Sequence, residues 1–258
     1  MDNKISIPKS IPKRIIDNND TKIPKIIIQT YKNNLIDKKI FNNTLNALSV
    51  NKDYDYLFID DTEGMKLIKN NFNESVLSAF MKLKAGAAKG DFIRYITLYI
   101  YGGVYLDMDS SMGKLDVPKG IDFCLFYDDS PNIIQWCIAW TPGHKLLLKI
   151  INEMVDRIHN GEQNIFLATG PCLVNDVIYN FINKSNIYGV SDKISKERKT
   201  LFFNKNRRFQ NGLLIHENND LVSIKFKFDG YNNELLYSED NPRYTPTYNG
   251  EPTPGLYN

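Results

Sequence analysis

The hydrophobic positions of this chain fall into short blocks whose period changes along its length. IPKIIIQTYK (23–32) is an apolar block directly after a charged, polar stretch, the pattern of a buried first strand. Residues 38–49 carry Ile40, Leu45 and Leu48 at helical spacing, and YDYLFID (54–60) reads as a second strand. From 63 to 85 the spacing is helical again, in two pieces parted near Asn70-Asn71. The block at 87–101 is apolar almost all round, which predicts a buried helix. Gly102-Gly103 ends it, because glycine takes a left-handed conformation without a Cβ penalty, and VYLDMD (104–109) is read as the strand that follows. IDFCLFYDD and IIQWCIAWTP predict two further strands, and 143–159 a helix. A loop holding ATGP (168–171) leads into a helix through residue 182, and short strands are expected at TLFFN, GLLIHE and VSIKFKF. Strands alternating with helices at this spacing predict an α/β sandwich with a mixed central sheet.

The polar stretches divide the chain. Residues 1–22, with Pro8 and Pro12, read as an extended N-terminal arm; 23–240 form one domain; 241–258, rich in Pro, Tyr, Asn and Gly, form an irregular tail, either a lid over the bound donor or a disordered end. A net charge of +2 is too balanced to predict a nucleic-acid partner. Three distant cysteines make neither a disulfide framework nor a zinc ribbon, and three histidines argue against a histidine-rich metal site. No stretch reaches the ~18 apolar residues of a membrane span, and the first twenty residues hold no apolar leader core. A soluble, cytoplasmic protein is expected, in the host cytoplasm if the source is viral.

The chemistry concentrates in GDFIRYITLYIYGGVYLDMDS (90–110). Residues i and i+2 of a strand point to the same side, so Asp107 and Asp109 are expected to project together. Two carboxylates that close repel each other unless a cation sits between them, and an oxygen-only pair suits Mg²⁺ or Mn²⁺. Asp91 and Arg94, at i and i+3, share a helix face. Taken alone, Asp91 reads as a helix cap with Arg94 as its local partner, and a lone DxD as a surface turn. An acid-basic pair, an apolar helix, a glycine turn, an apolar strand and two carboxylates in sequence make the merely structural reading the weaker one.

Those residues, with IPKIIIQTYK, YDYLFIDD, IQWCIAWTPGHKLL and ATGP, resemble the sugar-binding DXD region of family 32 glycosyltransferases; the D-x-x-R then D-x-D order is also similar to that of the large clostridial glucosylating toxins. The resemblance spans roughly residues 22–220. The chain departs from the family at Ile28, commonly His, near Tyr31, commonly Trp, and after LLIHENND, where an aromatic ending is usual. The resemblance implies a GT-A-type nucleotide-binding α/β/α sandwich. It also implies a metal-dependent, anomer-retaining glycosyltransferase that moves a hexose or N-acetylhexosamine from a UDP- or GDP-sugar to a hydroxyl of a glycan, protein or small molecule. Carried over residue by residue, Asp109 is the principal ligand of Mn²⁺ (or Mg²⁺), and Asp107 holds ribose or sugar hydroxyls and reaches the metal. Asp91 and Arg94 bind the donor sugar, and Thr30 and Tyr31 meet the nucleotide. Asp91, Arg94 and Asp107 make the catalytic group. His216 is the late-chain candidate for a third ligand, against the alternative of a surface histidine at a strand end.

No residue stands out as a covalent nucleophile, so a front-side displacement is expected. His144 is expected at the head of a helix, His159 solvated at a helix end, Trp136 and Trp140 in the core, and Lys193–Arg208 on a solvated face. Two readings compete: a degenerate relative that binds nucleotide-sugar or glycan without turnover, and a haloacid-dehalogenase-like phosphatase with the first Asp as nucleophile. The phosphatase fold places its motif on the first core strand, whereas two strands precede LDMD here.

Overall fold

The computed structural model describes residues 4–12, 21–115, 122–125, 133–184, 201–202, 213–215 and 221–225. In chain order the elements are β1 (Lys4–Ser6), β2 (Ser10–Ile11), β3 (Ile26–Tyr31), β4 (Leu35–Asp37), α1 (Lys38–Val50), β5 (Asp55–Asp60), α2 (Asp61–Asn71), α3 (Glu74–Lys82), α4 (Gly86–Tyr101), β6 (Gly103–Leu106), β7 (Ser110–Met112), β8 (Phe123–Leu125), β9 (Cys137–Trp140), α5 (Lys145–His159), α6 (Ile165–Ala168), α7 (Pro171–Lys184), β10 (Leu201–Phe202), β11 (Leu213–Ile215) and β12 (Leu221–Lys225). A seven-stranded sheet has the order β10-β8-β9-β6-β3-β5-β2. Its β6-β3-β5 centre is parallel, while β9 is antiparallel to β6 and β2 to β5, so the sheet is mixed, as the strand and helix alternation predicts. The stretch read as an arm contributes β1, paired with β4, and the edge strand β2, and it buries Ile7.

Period-two alternation splits the sheet between two apolar layers. Ile28, Ile59, Tyr105, Ile138 and Trp140 face a core shared with α2, α3, α4, α5 and α7. Ile27, Tyr56, Phe58, Val104, Leu106, Cys137 and Ala139 face a second core under α1. Helix α4 buries Phe92, Ile93, Arg94, Tyr95, Ile96, Thr97 and Leu98, a run that no single face of a helix could supply, which is why its sequence shows no polar stripe. Helix α1 differs from its sequence reading: Ile40 and Leu48 are buried but Leu45 is 38% exposed, and Asn43 and Thr44 take the inward positions. These polar groups are needed inside because both bond to neighbouring chain, Asn43 to the Ser110 carbonyl at 2.6 Å and Thr44 to Gln29 at 2.9 Å. Among the described residues no helix is long and apolar enough to cross a membrane.

The glycine pair works as the sequence suggests. Gly102 has φ 64° and returns its N–H to Leu98 O; Gly103 has φ 97°, and a Cβ there would sit 2.6 Å from the Ile26 carbonyl oxygen. An L side chain at 103 would force β6 away from β3. Gly103→Ala is therefore expected to cost about 2–3 kcal/mol in urea unfolding, with the m-value unchanged.

Helix α5 is capped by His144, whose Nδ1 accepts from the Leu146 N–H at 3.2 Å. Burial lowers its pKa, against a smaller upward pull from Asp122. The unfolded chain titrates at the ordinary histidine value of about 6.5, so below it the unfolded state binds more protons than the native one. Stability contributed by neutral His144 is present above that value and lost as pH falls toward the lowered native pKa. His144→Asn keeps a cap without a titrating group, and the fall in thermal stability between pH 7.5 and 5.5 is expected to shrink.

Strand β6 is shorter than VYLDMD. It stops at Leu106; Asp107 N–H bonds Trp136 O at 2.8 Å, and Ser110 N–H bonds Asp107 O at 3.0 Å. Asp107 to Asp109 thus form a turn, after which β7 enters a separate sheet of order β11-β12-β7. The i, i+2 strand argument does not hold for the two carboxylates. Their placement comes from the turn.

Candidate functional site

Arg94, 6% exposed, organises the site from inside helix α4. Its Nη1 pairs with Asp91 Oδ1 at 3.0 Å and donates to Gln135 Oε1 at 2.9 Å. Its Nη2 donates to Asp107 Oδ1 at 2.9 Å, and the guanidinium lies over the Tyr105 ring, 4.5 Å from its centroid. A buried cation is tolerable only when paired. Burial pushes its pKa down, the charged Asp107 and Asp91 carboxylates pull it up, and the net direction is up. The guanidinium stays charged.

The Tyr105 hydroxyl donates to Asp107 Oδ1 at 2.9 Å and takes the Thr30 hydroxyl at 3.1 Å. Burial first, then the Asp107 charge, raises the phenol pKa, so the proton that makes this bond is retained. The backbone of the turn is held as firmly. Gln29 Nε2 donates to Asp107 O at 3.3 Å, and Gln29 Oε1 is itself fixed by Thr44 at 2.9 Å and Tyr56 at 3.1 Å. Asp109, 9% exposed, accepts from Ser110 Oγ at 3.4 Å.

Of the residues expected from the sequence, Asp91, Arg94 and Asp107 are brought into direct contact, Thr30 joins them through Tyr105, and Asp109 lies in the same turn. Tyr31 closes β3 opposite Asp60, half-buried against the α1-side core. Asp91 is not a cap: α4 begins at Gly86, with Ala85 at its N-cap, so Asp91 lies in the second turn. His144 heads α5, His159 ends it, and Trp136 and Trp140 are buried. His216, the tail 241–258 and all of 193–208 except 201–202 lie outside the described residues.

Tyr105, Gln135, Gln29 and Thr169 were not singled out from the sequence. Gln29 and Gln135 did carry a signal, each being an amide inside an otherwise apolar strand-like run. Arginine is only a donor, so the Gln135 amide must turn its oxygen toward Arg94, leaving Nε2 as a buried donor. Gln135 Nε2 and Arg94 Nε have no hydrogen-bond partner among the described residues. Among those residues no three His, Cys, Asp or Glu side chains group into a metal cage. Asp107 and Asp109 offer hard oxygens, the donor type for a Mg²⁺ or Mn²⁺ ion whose shell is completed by water and phosphate.

The fold is a GT-A-like mixed α/β fold. It is similar to the solved PaToxG glycosyltransferase, with a TM-score of 0.51 and 21% identity over 64% of this chain and 72% of that one. Residues 37–115, which include Asp91, Arg94, Asp107 and Asp109, match the family described as glycosyltransferase sugar-binding region containing DXD motif. Residues 37–115 are thus similar to the sugar-binding DXD region of the glycosyltransferases, within a GT-A-like mixed α/β fold. It is 26% identical to the initiation-specific alpha-1,6-mannosyltransferase of Schizosaccharomyces pombe, over 62% of this chain and 49% of the relative. It is 31% identical to an uncharacterized glycosyltransferase of Acanthamoeba polyphaga mimivirus, over 62% and 66%. A mannosyl phosphorylinositol ceramide synthase of Saccharomyces cerevisiae is 37% identical over 51% and 35%. The matches span less than two thirds of the length of these relatives.

Proposed function

We propose that this chain is a metal-dependent, anomer-retaining glycosyltransferase that moves a hexose from a UDP- or GDP-sugar to an acceptor hydroxyl of a glycan, protein or small molecule. The observation that carries the reading is Arg94, which ties the Asp91 of the helix and the Asp107 of the acidic turn into one buried cluster. The relatives' names favour mannose as the hexose to test first.

In this reading Asp91 and Arg94 hold hydroxyls of the donor sugar, and Gln135 Nε2 adds a donor beside them. Thr30 and Tyr31, at the end of β3, meet the nucleotide. Asp109 and Asp107 hold Mn²⁺ or Mg²⁺. When bound, the ion supplies Lewis-acid neutralisation of the leaving diphosphate. Asp91 and Asp107 each face the fixed Arg94 cation, which holds their electron density and opposes their use as covalent nucleophiles. That favours a front-side displacement, with the acceptor proton passing to the diphosphate.

The test is thermal unfolding and donor hydrolysis across UDP- and GDP-sugars, mannose first, each with and without Mn²⁺. A true donor at ~100 Kd is expected to add about 2.7 kcal/mol, read as a rise of roughly 5–10 °C in Tm. A Mn²⁺-dependent rise with slow hydrolysis of one donor supports the transferase. A rise without turnover, with acceptors supplied, reduces it to a binding protein, and no rise with any donor overturns it.

A further inference from the structure

We propose that Thr169, in the ATGP loop, is a positioning residue for the donor sugar, its hydroxyl holding the second oxygen of the Asp91 carboxylate. This rests on the reading of Asp91 as a sugar ligand. The side chain is fully buried, and Oγ1 lies 3.2 Å from Asp91 Oδ2 and 3.4 Å from Ile165 O. A hydroxyl has one proton to give. The Ile165 carbonyl already accepts the N–H groups of Thr169 at 3.0 Å and Gly170 at 2.8 Å, so both its lone pairs are used. Asp91 is the nearer acceptor and the charged one, and the proton goes there.

Asp91 is then oriented through both oxygens, Oδ1 by Arg94 within its own helix and Oδ2 by a loop 78 residues later. The loop is suited to this. A Cβ on Gly170 would sit 2.8 Å from Phe166 Cα and 3.0 Å from Ile165 O, so only glycine allows the chain to close so tightly behind Thr169. From the other side Arg157 Nη1 grips the Leu167 carbonyl at 2.9 Å while its Nε and Nη2 hold Glu153 and Asp176. A carboxylate that meets sugar hydroxyls must keep its plane, because small displacements of a positioning group cost large factors in rate.

The test compares Thr169→Val, of similar shape without the hydroxyl, with Thr169→Ser in the full chain. Thr169→Val is expected to lower kcat/KM for the nucleotide-sugar by about tenfold or more, while affinity for the free nucleoside diphosphate stays within about twofold. Thr169→Ser is expected to restore the rate. A second cycle on Tm, crossing Thr169→Val with Asp91→Asn, is expected to show non-additive losses, because each single change breaks the same bond.

A merely structural role predicts parallel losses in Tm and in affinity for sugar-nucleotide and free nucleotide alike; that outcome overturns the proposal. A folded Thr169→Val with kcat/KM within about twofold of the parent, on an active parent, also overturns it and leaves the transferase reading standing. A parent that neither binds nor turns over any donor overturns both. The Tm cycle then still reports whether the Thr169–Asp91 contact exists.

Discussion

Asp109→Ala is expected to lower Mn²⁺-dependent sugar transfer by about a thousandfold or more while leaving the chain folded. The size follows from the role: the ion would stabilise charge developing on the diphosphate, and a site stripped of its principal oxygen ligand loses that at any practical Mn²⁺ concentration. The survival of the fold follows from how the turn is built. Its geometry is fixed through its backbone, Asp107 N–H to Trp136 O, Ser110 N–H to Asp107 O, and the Asn43 side-chain Nδ2 to Ser110 O, none of which uses the Asp109 side chain. Removing one of two nearby anions also relieves repulsion where no cation is bound. Initial rates against Mn²⁺ concentration, with Tm measured on the same samples, check both halves. Activity at the parental level with the same Mn²⁺ dependence would remove Asp109 from the metal site.

Arg94→Met is expected to act in the opposite sense, on the fold first. It leaves Asp91 and Asp107 facing each other's neighbourhood without their cation, with side chains only 14% and 20% exposed. Breaking a buried pair by removing one partner costs about 3–5 kcal/mol, here with two carboxylates stranded. Arg94→Lys retains charge but not the fork that spans Asp91, Gln135 and Asp107, and its loss is expected to fall between the two, at about 2 kcal/mol. Urea midpoints of the three chains at pH 7 decide it. A loss below about 1 kcal/mol for Arg94→Met would mean that Arg94 does not organise the cluster.

The parts of this molecule legible in its sequence are those with a strong local period. The β3 and β5 blocks, the uniformly apolar α4, the glycine pair and the D-x-x-R before D-x-D all lie within stretches whose own residues dictate them. The errors fall where a distant partner decides. Spacing groups Leu45 with Ile40 and Leu48, but Asn43 and Thr44 take the buried face because the turn at Ser110 and the amide of Gln29 need their hydrogen bonds. VYLDMD reads as continuous strand because no breaker interrupts it after the glycine pair, yet the last ladder bond comes at Asp107 N–H, and the following carbonyl is claimed by Ser110. Gln135 and Thr169 reach Arg94 and Asp91 across 41 and 78 residues, and no local pattern announces a contact of that range.

The acidic turn is also a seam between two sheets. On one side β6 runs in the seven-stranded sheet; on the other β7 pairs with β12 in the register Ser110 with Lys225, Ser111 with Ile224 and Met112 with Ser223. Main-chain ladders are indifferent to which side chains they carry. Side chains along Leu221–Lys225 can therefore change and the strand still dock against the seam, provided it stays extended and keeps the N–H groups that the ladder uses.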